Sequence, residues 1–187
     1  GLQVHYNWHW FWDYGNGDIA NDGIHQLDQA RWGLGVALPN AVSASGGQLF
    51  YADDHETPDT QVVTYEYDHC YVLYEMRLWT DYKLEGHDNG VVFYADDGRL
   101  EIGRDGCHAM HIGQPRKKVG GTASFEDNVA DFIEALRAGD PARLGSPIAE
   151  GAISTALCHM GNIATRTGRR LQFDAETWRF DDDGANA

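Results

Sequence analysis

Apolar positions follow two rhythms along the chain. Between Asp18 and Gly33, residues Ile19, Gly23, Ile24, Leu27 and Ala30, with Leu34 just beyond, recur every three or four places. That spacing lines up one side of an α-helix. Asp18 stands where an N-cap is wanted, and Gly33, Gly35 and Pro39 supply a stop. From Asn40 to Arg104 the period falls to two. AVSASGGQLFYADD, TQVVTYEY, CYVLYEMRLWT, GVVFYADDG and RLEIGRDG are β-branched or aromatic runs separated by turn residues. Asp68-His69 and Asp97-Gly98 fall where hairpins would turn. Most of these connections are too short for crossover helices, so a mostly antiparallel sheet of about five or six strands is expected.

The helical rhythm then returns. Ser124 with Asp127 resembles a capping box, and Val129, Phe132, Ile133 and Leu136 follow at helical spacing until Gly139-Asp140-Pro141. Ser146 as N-cap and Pro147 at the first helical position open another helix, which carries Ile148, Ala152, Leu157, Met160 and Ala164 and ends at Gly168. RRLQFD reads as a returning strand and DDDGANA as an acidic tail. Helix, strands, two helices, strand is the order of an α+β fold. A chain of 187 residues suits one domain and buries a substantial core without staples.

Charge narrows the partners. Lys and Arg total 14 against 29 Asp and Glu, a formal charge of −15, which repels nucleic-acid phosphates and anionic lipid surfaces. No nucleic-acid or membrane partner is expected, and no apolar run approaches the roughly 20 residues of a spanning helix. GQPRKKVGG, residues 113–121, is the only basic cluster and reads as an exposed loop. Cys70, Cys107 and Cys158 are odd in number and widely spaced, which favours free thiols and leaves the compartment, cytoplasmic or exported, unassigned.

Candidate chemistry gathers near the N-terminus. Asp18, Asn21, His25 and Asp28 lie three and four apart, so one helix face carries them all. An imidazole between a carboxylate and a carboxamide suits acid/base work, and a solvated polar face explains the same spacing. Directly ahead, Trp8, Trp10, Phe11 and Trp12 crowd one loop. Aromatic faces beside polar groups are what sugars stack upon; rings wedging the loop into the core is the other reading. Cys107, His108 and His111 hint at metal ligands, but in a strand positions 108 and 111 face opposite ways, and His5 and His9 suggest a site no better. No metal is expected. His159 and Asn162 are read as helix packing and Cys158 as a small core residue. Gly15-Asn16-Gly17 lacks the third glycine and the strand-helix-strand setting of a dinucleotide fingerprint.

GNGDIANDGIHQLDQARWGLG resembles the C-terminal domain of the Gfo/Idh/MocA family, named after glucose-fructose oxidoreductase, inositol dehydrogenase and MocA. HDNGVVFYADDGRLEIGRDG, SFEDNVADFIEALRAGD and CHMGNIATRTGRRLQFDAETWRFDDDGAN are similar to later parts of the same domain in the same order. The resemblance covers nearly the whole chain, and its first and last motifs are the specific ones. It implies a large open, mostly antiparallel sheet with helices packed on one face. It also implies a substrate-binding and oligomerisation domain over residues 1–187, a fragment whose N-terminal Rossmann domain is missing.

Such enzymes pass a hydride between NAD or NADP, held mainly by that other domain, and a sugar, inositol or related polyol. On this implication His25 handles the proton of the reacting hydroxyl, Asn21 and Asp28 position it or the substrate, and Trp8, His9 and Trp10 line the pocket. Many members have an aspartate where this chain has Asn21, which accepts or donates hydrogen bonds but takes no proton. A homo-oligomer through the sheet is implied, and the chain alone is expected to be inactive. Two alternatives stand beside this reading: a glycosidase that oxidises its substrate transiently with no net redox change, and a stand-alone carbohydrate-binding or assembly module.

Overall fold

In the computed structural model, which describes residues 5–121 and 124–187, hairpin chemistry organises the first of two units, Gly1–Asp81 with Ile153–Ala187. The chain enters it through two short helices, α1 (Asp18–Asn21) and α2 (Gly23–Leu34). Three strands follow, β1 (Ala41–Gly47), β2 (Thr60–Glu66) and β3 (Tyr71–Arg77). β2 and β3 pair antiparallel from Thr60 opposite Arg77 to Glu66 opposite Tyr71, and the Tyr67 N–H donates to the Cys70 carbonyl across Asp68-His69. β1 pairs antiparallel with β2 on the other side.

Tyr65, Val63 and Gln61 on β2 and Val72, Tyr74 and Met76 on β3 turn inward, while Tyr71, Leu73 and Glu75 turn out. A period of two therefore sets one buried face and one open face.

Helices cover the buried face. Among the elements numbered in chain order, α4 (Ile148–Thr167) enters this unit at Ile153 and lies close enough to the sheet that only glycine fits at position 161. A Cβ there would stand 2.8 Å from Ile19 Cδ1 and 2.9 Å from Tyr65 Oη. The Tyr65 hydroxyl, fully buried, donates to the Leu157 carbonyl at 2.8 Å. Gln61 donates to Thr165 Oγ1 at 2.8 Å and to Asn162 Oδ1 at 3.3 Å. After α4 the chain adds β8 (Leu171–Asp174) beside β1 and then β9 (Arg179–Phe180), giving the order β3-β2-β1-β8-β9.

The second unit, Tyr82–Ala152, is a meander of β4 (Gly90–Ala95), β5 (Gly98–Gly103), β6 (Gly106–His111) and β7 (Lys117–Gly120), followed by α3 (Phe125–Ala138). Ser124 caps α3 by accepting the Asp127 N–H at 3.0 Å, and Gly139 closes it in the left-handed region at φ 63°. Glu101 on β5 is buried, which by itself would raise its pKa. Arg116 (2.7 Å), His87 (3.3 Å) and Arg99 (2.9 Å) outweigh that and hold it below the usual carboxylate value.

The α+β class and the antiparallel pairing agree with the sequence pattern, and several details differ. Gly17, not Asp18, occupies the cap of the first helix, and the helix is interrupted at Asp22, where φ is −111°. The strands form one five-stranded and one four-stranded sheet, because β6 and β7 add to β5. Part of the basic stretch is strand β7, with Lys118 opposite His108. The β4–β5 turn lies at Asp96-Asp97, one residue early. α4 begins after Pro147 rather than on it, and Ile148 is 89% exposed while Leu157, Met160 and Ala164 are core. Phe132 and Leu136 on α3 are likewise exposed. The C-terminal residues are ordered: Asn186 bonds both the N–H and the carbonyl of Phe180, and Arg169 pairs with Asp182. No helix among the described residues is long and apolar enough to cross a membrane.

Candidate active site

The aromatic loop is held by its backbone. Residues Asn7–Trp10 form a 3-10 turn in which the His9 ring is buried and donates from Nδ1 to the Tyr6 carbonyl at 2.6 Å. His9 Nε2 is buried with no partner among the described residues. Gly15 crosses so near that a Cβ would lie 2.4 Å from His9 Cα, and the Gly17 N–H donates to the His9 carbonyl at 2.8 Å. Gly17, at φ 71°, rests on the buried Thr57 side chain. Both contacts need a residue without Cβ.

Neighbouring segments clamp the same loop. The Glu56 and Thr57 N–H groups donate to the Trp10 carbonyl at 2.9 and 3.2 Å, and the Glu56 carboxylate accepts the Trp12 N–H at 2.8 Å. Arg166 of α4 sits 5.0 Å above the Trp12 ring, a cation–π distance. Asn162 donates to the Asn16 carbonyl at 2.8 Å. Trp10, Phe11 and Trp12 are consequently half-buried, whereas Trp8 remains 47% exposed.

The polar stripe emerges from this anchored entrance. Asp18 is partly buried, which raises its pKa, while the neighbouring Asn21 amide opposes that rise. Asn21, at the end of α1, and His25, in the first turn of α2, are both exposed. Asp28 turns to other work. It accepts the Ser154 hydroxyl and lies 3.5 Å from Arg31, whose Nε donates to the same hydroxyl at 3.1 Å and whose Nη1 donates to the Val36 carbonyl at 3.2 Å. Arg31 is 5% exposed, so this network supplies a buried guanidinium with its counter-ion and ties α2 to α4.

The family model of the Gfo/Idh/MocA "Oxidoreductase family, C-terminal alpha/beta domain" matches residues 2–187. The chain belongs to this oxidoreductase family.

Solved structures show the same fold. The WlbA dehydrogenase of Bordetella pertussis, in complex with NADH and UDP-GlcNAcA, shares 18% identity at a TM-score of 0.69, over 92% of this chain and 51% of that one. An oxidoreductase from Thermotoga maritima shares 18% at 0.68, over 92% and 49%. One from Agrobacterium radiobacter, in complex with NAD+, L-tartaric acid and magnesium, shares 14% at 0.60, over 80% and 47%. The chain spans about half the length of these proteins. No curated protein matches its sequence.

Within this Gfo/Idh/MocA domain, the structure places Asn21 and His25 at exposed positions on successive helices. Trp8 stays exposed on the anchored loop, and His9 and Asp28 are drawn into internal contacts. His108 is buried and His111 exposed, as opposite faces of β6 require, and His159 is exposed rather than packed. Cys158 is buried, with its thiol against the Ile19 carbonyl, and all three cysteines are free. Among the described residues no group of three His, Cys, Asp or Glu side chains is arranged for a metal. Sequence reasoning missed Arg31, Ser154, Glu56 and Asp59. The acidic pair in ETPD, beside an aromatic run, is the only signal that could have marked the last two.

Proposed function

We propose that this chain is the substrate-binding and oligomerisation half of a nicotinamide-dependent oxidoreductase acting on a sugar, inositol or related polyol. The observation that carries the reading is the exposed His25, in the first turn of α2 and just past Asn21, on a helix whose entrance is fixed by a rigid aromatic loop. His25 accepts the proton of the reacting hydroxyl as the carbon beneath it gives up hydride. Asn21 hydrogen-bonds a substrate hydroxyl, and Trp8 and Trp10 offer ring faces to the sugar. His9 and Asp28 act behind them, fixing the loop and the helix.

A bound nicotinamide supplies the hydride acceptor. The Gly15-Asn16-Gly17 turn offers no phosphate cradle, since the Gly17 N–H is spent on the His9 carbonyl and Thr57 fills the space beneath Gly17. Cofactor binding is assigned mainly to another domain, as the family resemblance implies. The NADH and UDP-GlcNAcA of the WlbA complex and the NAD+ of the Agrobacterium complex support a nicotinamide and, in the first case, a sugar-type substrate. The outward face of β2 and β3, with Tyr71 and Leu73 more than 60% exposed, supports assembly through the sheet.

The test is nicotinamide reduction by the full-length enzyme across a panel of sugars and polyols. Reduction that falls about 100-fold in His25→Ala supports the reading, as expected for a lost acid/base group. Release of free sugar without reduced cofactor would instead indicate the glycosidase. Sugar binding indifferent to nucleotide would indicate a binding module.

A further inference from the structure

The unit Tyr82–Ala152 holds a cleft of about 560 Å³ that charged side chains line almost throughout. Glu101 on β5 is its buried centre, with 3% of its side chain exposed, and it grips two guanidiniums from behind: Arg99 through Nε at 2.9 Å and Arg116 through Nε at 2.7 Å. The remaining nitrogens of each planar group point elsewhere. Arg99 Nη1 donates to Glu85 at 2.7 Å and Arg116 Nη2 to Asp105 at 3.5 Å, partners that are 40% and 59% exposed. Arg99 Nη2 and Arg116 Nη1 make no bond among the described residues. The His87 ring walls the same cleft, with Nε2 3.3 Å from Glu101. Two backbone bonds between Leu84 and His87 fix the turn that carries it, and a Cβ at Gly103, opposite Gly90 of β4, would collide with the ring. Lys83 and Arg104 line the cleft from exposed positions; Arg104 lies 3.4 Å from Asp88, and Lys83 makes no ion pair among the described residues.

We propose that this cleft binds a phosphate dianion, free or carried on a small molecule, between the outer edges of Arg99 and Arg116, with Lys83 and Arg104 at the rim. The buried carboxylate does not compete for the ligand. It fixes two guanidinium planes in advance, so little side-chain freedom is lost when an oxyanion docks on them. The carboxylates that do compete, Glu85, Asp88 and Asp105, are exposed, and exposed ion pairs hold little in water. A phosphate facing several cations at once outmatches each of them. Local charge agrees. Six of the chain's 14 Lys and Arg fall between Lys83 and Lys118, against six of its 29 Asp and Glu, so this stretch is neutral in a chain of charge −15 and does not turn a small anion away. The proposal does not rest on the reading of His25.

The test is an NMR titration of the isotope-labelled 187-residue chain with inorganic phosphate and with glucose 6-phosphate at constant ionic strength, following the Arg99 and Arg116 side-chain N–H signals. Both signals are expected to shift and saturate together. The double variant K83M/R104M, at two exposed positions, should weaken binding about 10-fold or more. Glu85→Gln should act the other way: it frees Arg99 Nη1 from its competitor and tightens binding about 3-fold or more. A cluster that serves only to hold the strands together would show neither change. Tighter binding of glucose 6-phosphate than of phosphate identifies the ligand as a phosphorylated small molecule, and equal affinity identifies the free anion. Arginine signals that do not saturate with either probe overturn the proposal. So does binding that K83M/R104M leaves unchanged, or that Glu85→Gln fails to tighten.

Discussion

Asp59→Asn tests the anchoring of the loop that clamps the aromatic entrance. Asp59 is fully buried, which alone would raise its pKa. The N–H groups of Tyr51 (2.9 Å), Leu49 (3.0 Å) and Phe50 (2.9 Å) and the Thr60 hydroxyl (2.7 Å) outweigh burial and bring the carboxyl from 3.8 to about 2. A gap of that size is worth about 2 kcal/mol. Because the folded value lies below the unfolded one, this stability is fully present above about pH 4 and is lost as pH falls through about 2.

Asparagine removes the charge and turns an N–H₂ towards backbone donors. At neutral pH Asp59→Asn should therefore cost about 2 kcal/mol or more, lowering the melting temperature by roughly 4–8 °C. Urea unfolding followed by circular dichroism at several pH values gives the comparison. Wild type and variant should differ most at neutral pH and converge towards pH 2. A difference below about 0.5 kcal/mol at neutral pH, or one that does not change with pH, would refute the assignment.

Gly161→Ala should destabilise the fold by about 1–3 kcal/mol in chemical denaturation, since the new methyl meets Ile19 and Tyr65 within 3 Å. Ser154→Ala removes the hydroxyl shared by Asp28 and the buried Arg31 and should cost about 1–3 kcal/mol in the same assay. In the full-length enzyme, Trp8→Ala should raise the sugar KM about 3- to 10-fold with kcat little changed, the pattern of a lost stacking surface. A change confined to kcat would place Trp8 elsewhere.

Local chemistry was legible where neighbours in sequence are neighbours in space. The β2–β3 hairpin follows from alternation around Asp68-His69, and α3 follows from Ser124 and Gly139. Asn21 and His25 are both exposed, but the break at Asp22 puts them on separate helices, which the spacing alone did not show. What escaped depends on distant partners. Arg31 and Ser154 are 123 residues apart, and nothing in the alternation near either predicts a shared hydroxyl. Asp59 stands in a polar turn whose composition suggests solvent, and only the folded loop brings three N–H groups to it. Strands β6 and β7 are rich in glycine, histidine and lysine, so their pairing with β5 rests on register rather than propensity. The break at Asp22 escaped because it leaves the apolar stripe intact: Ile19 and Leu27 are buried on either side of it.

The most direct test of the central claim is the reading frame upstream of Gly1. The account predicts that it encodes a strand, a glycine-rich turn and a helix, followed later by a lysine ahead of a proline-bearing loop, so that His25 works beside a nucleotide-binding half. A start codon immediately before Gly1 would contradict it, leaving a family domain that handles sugar without a cofactor of its own.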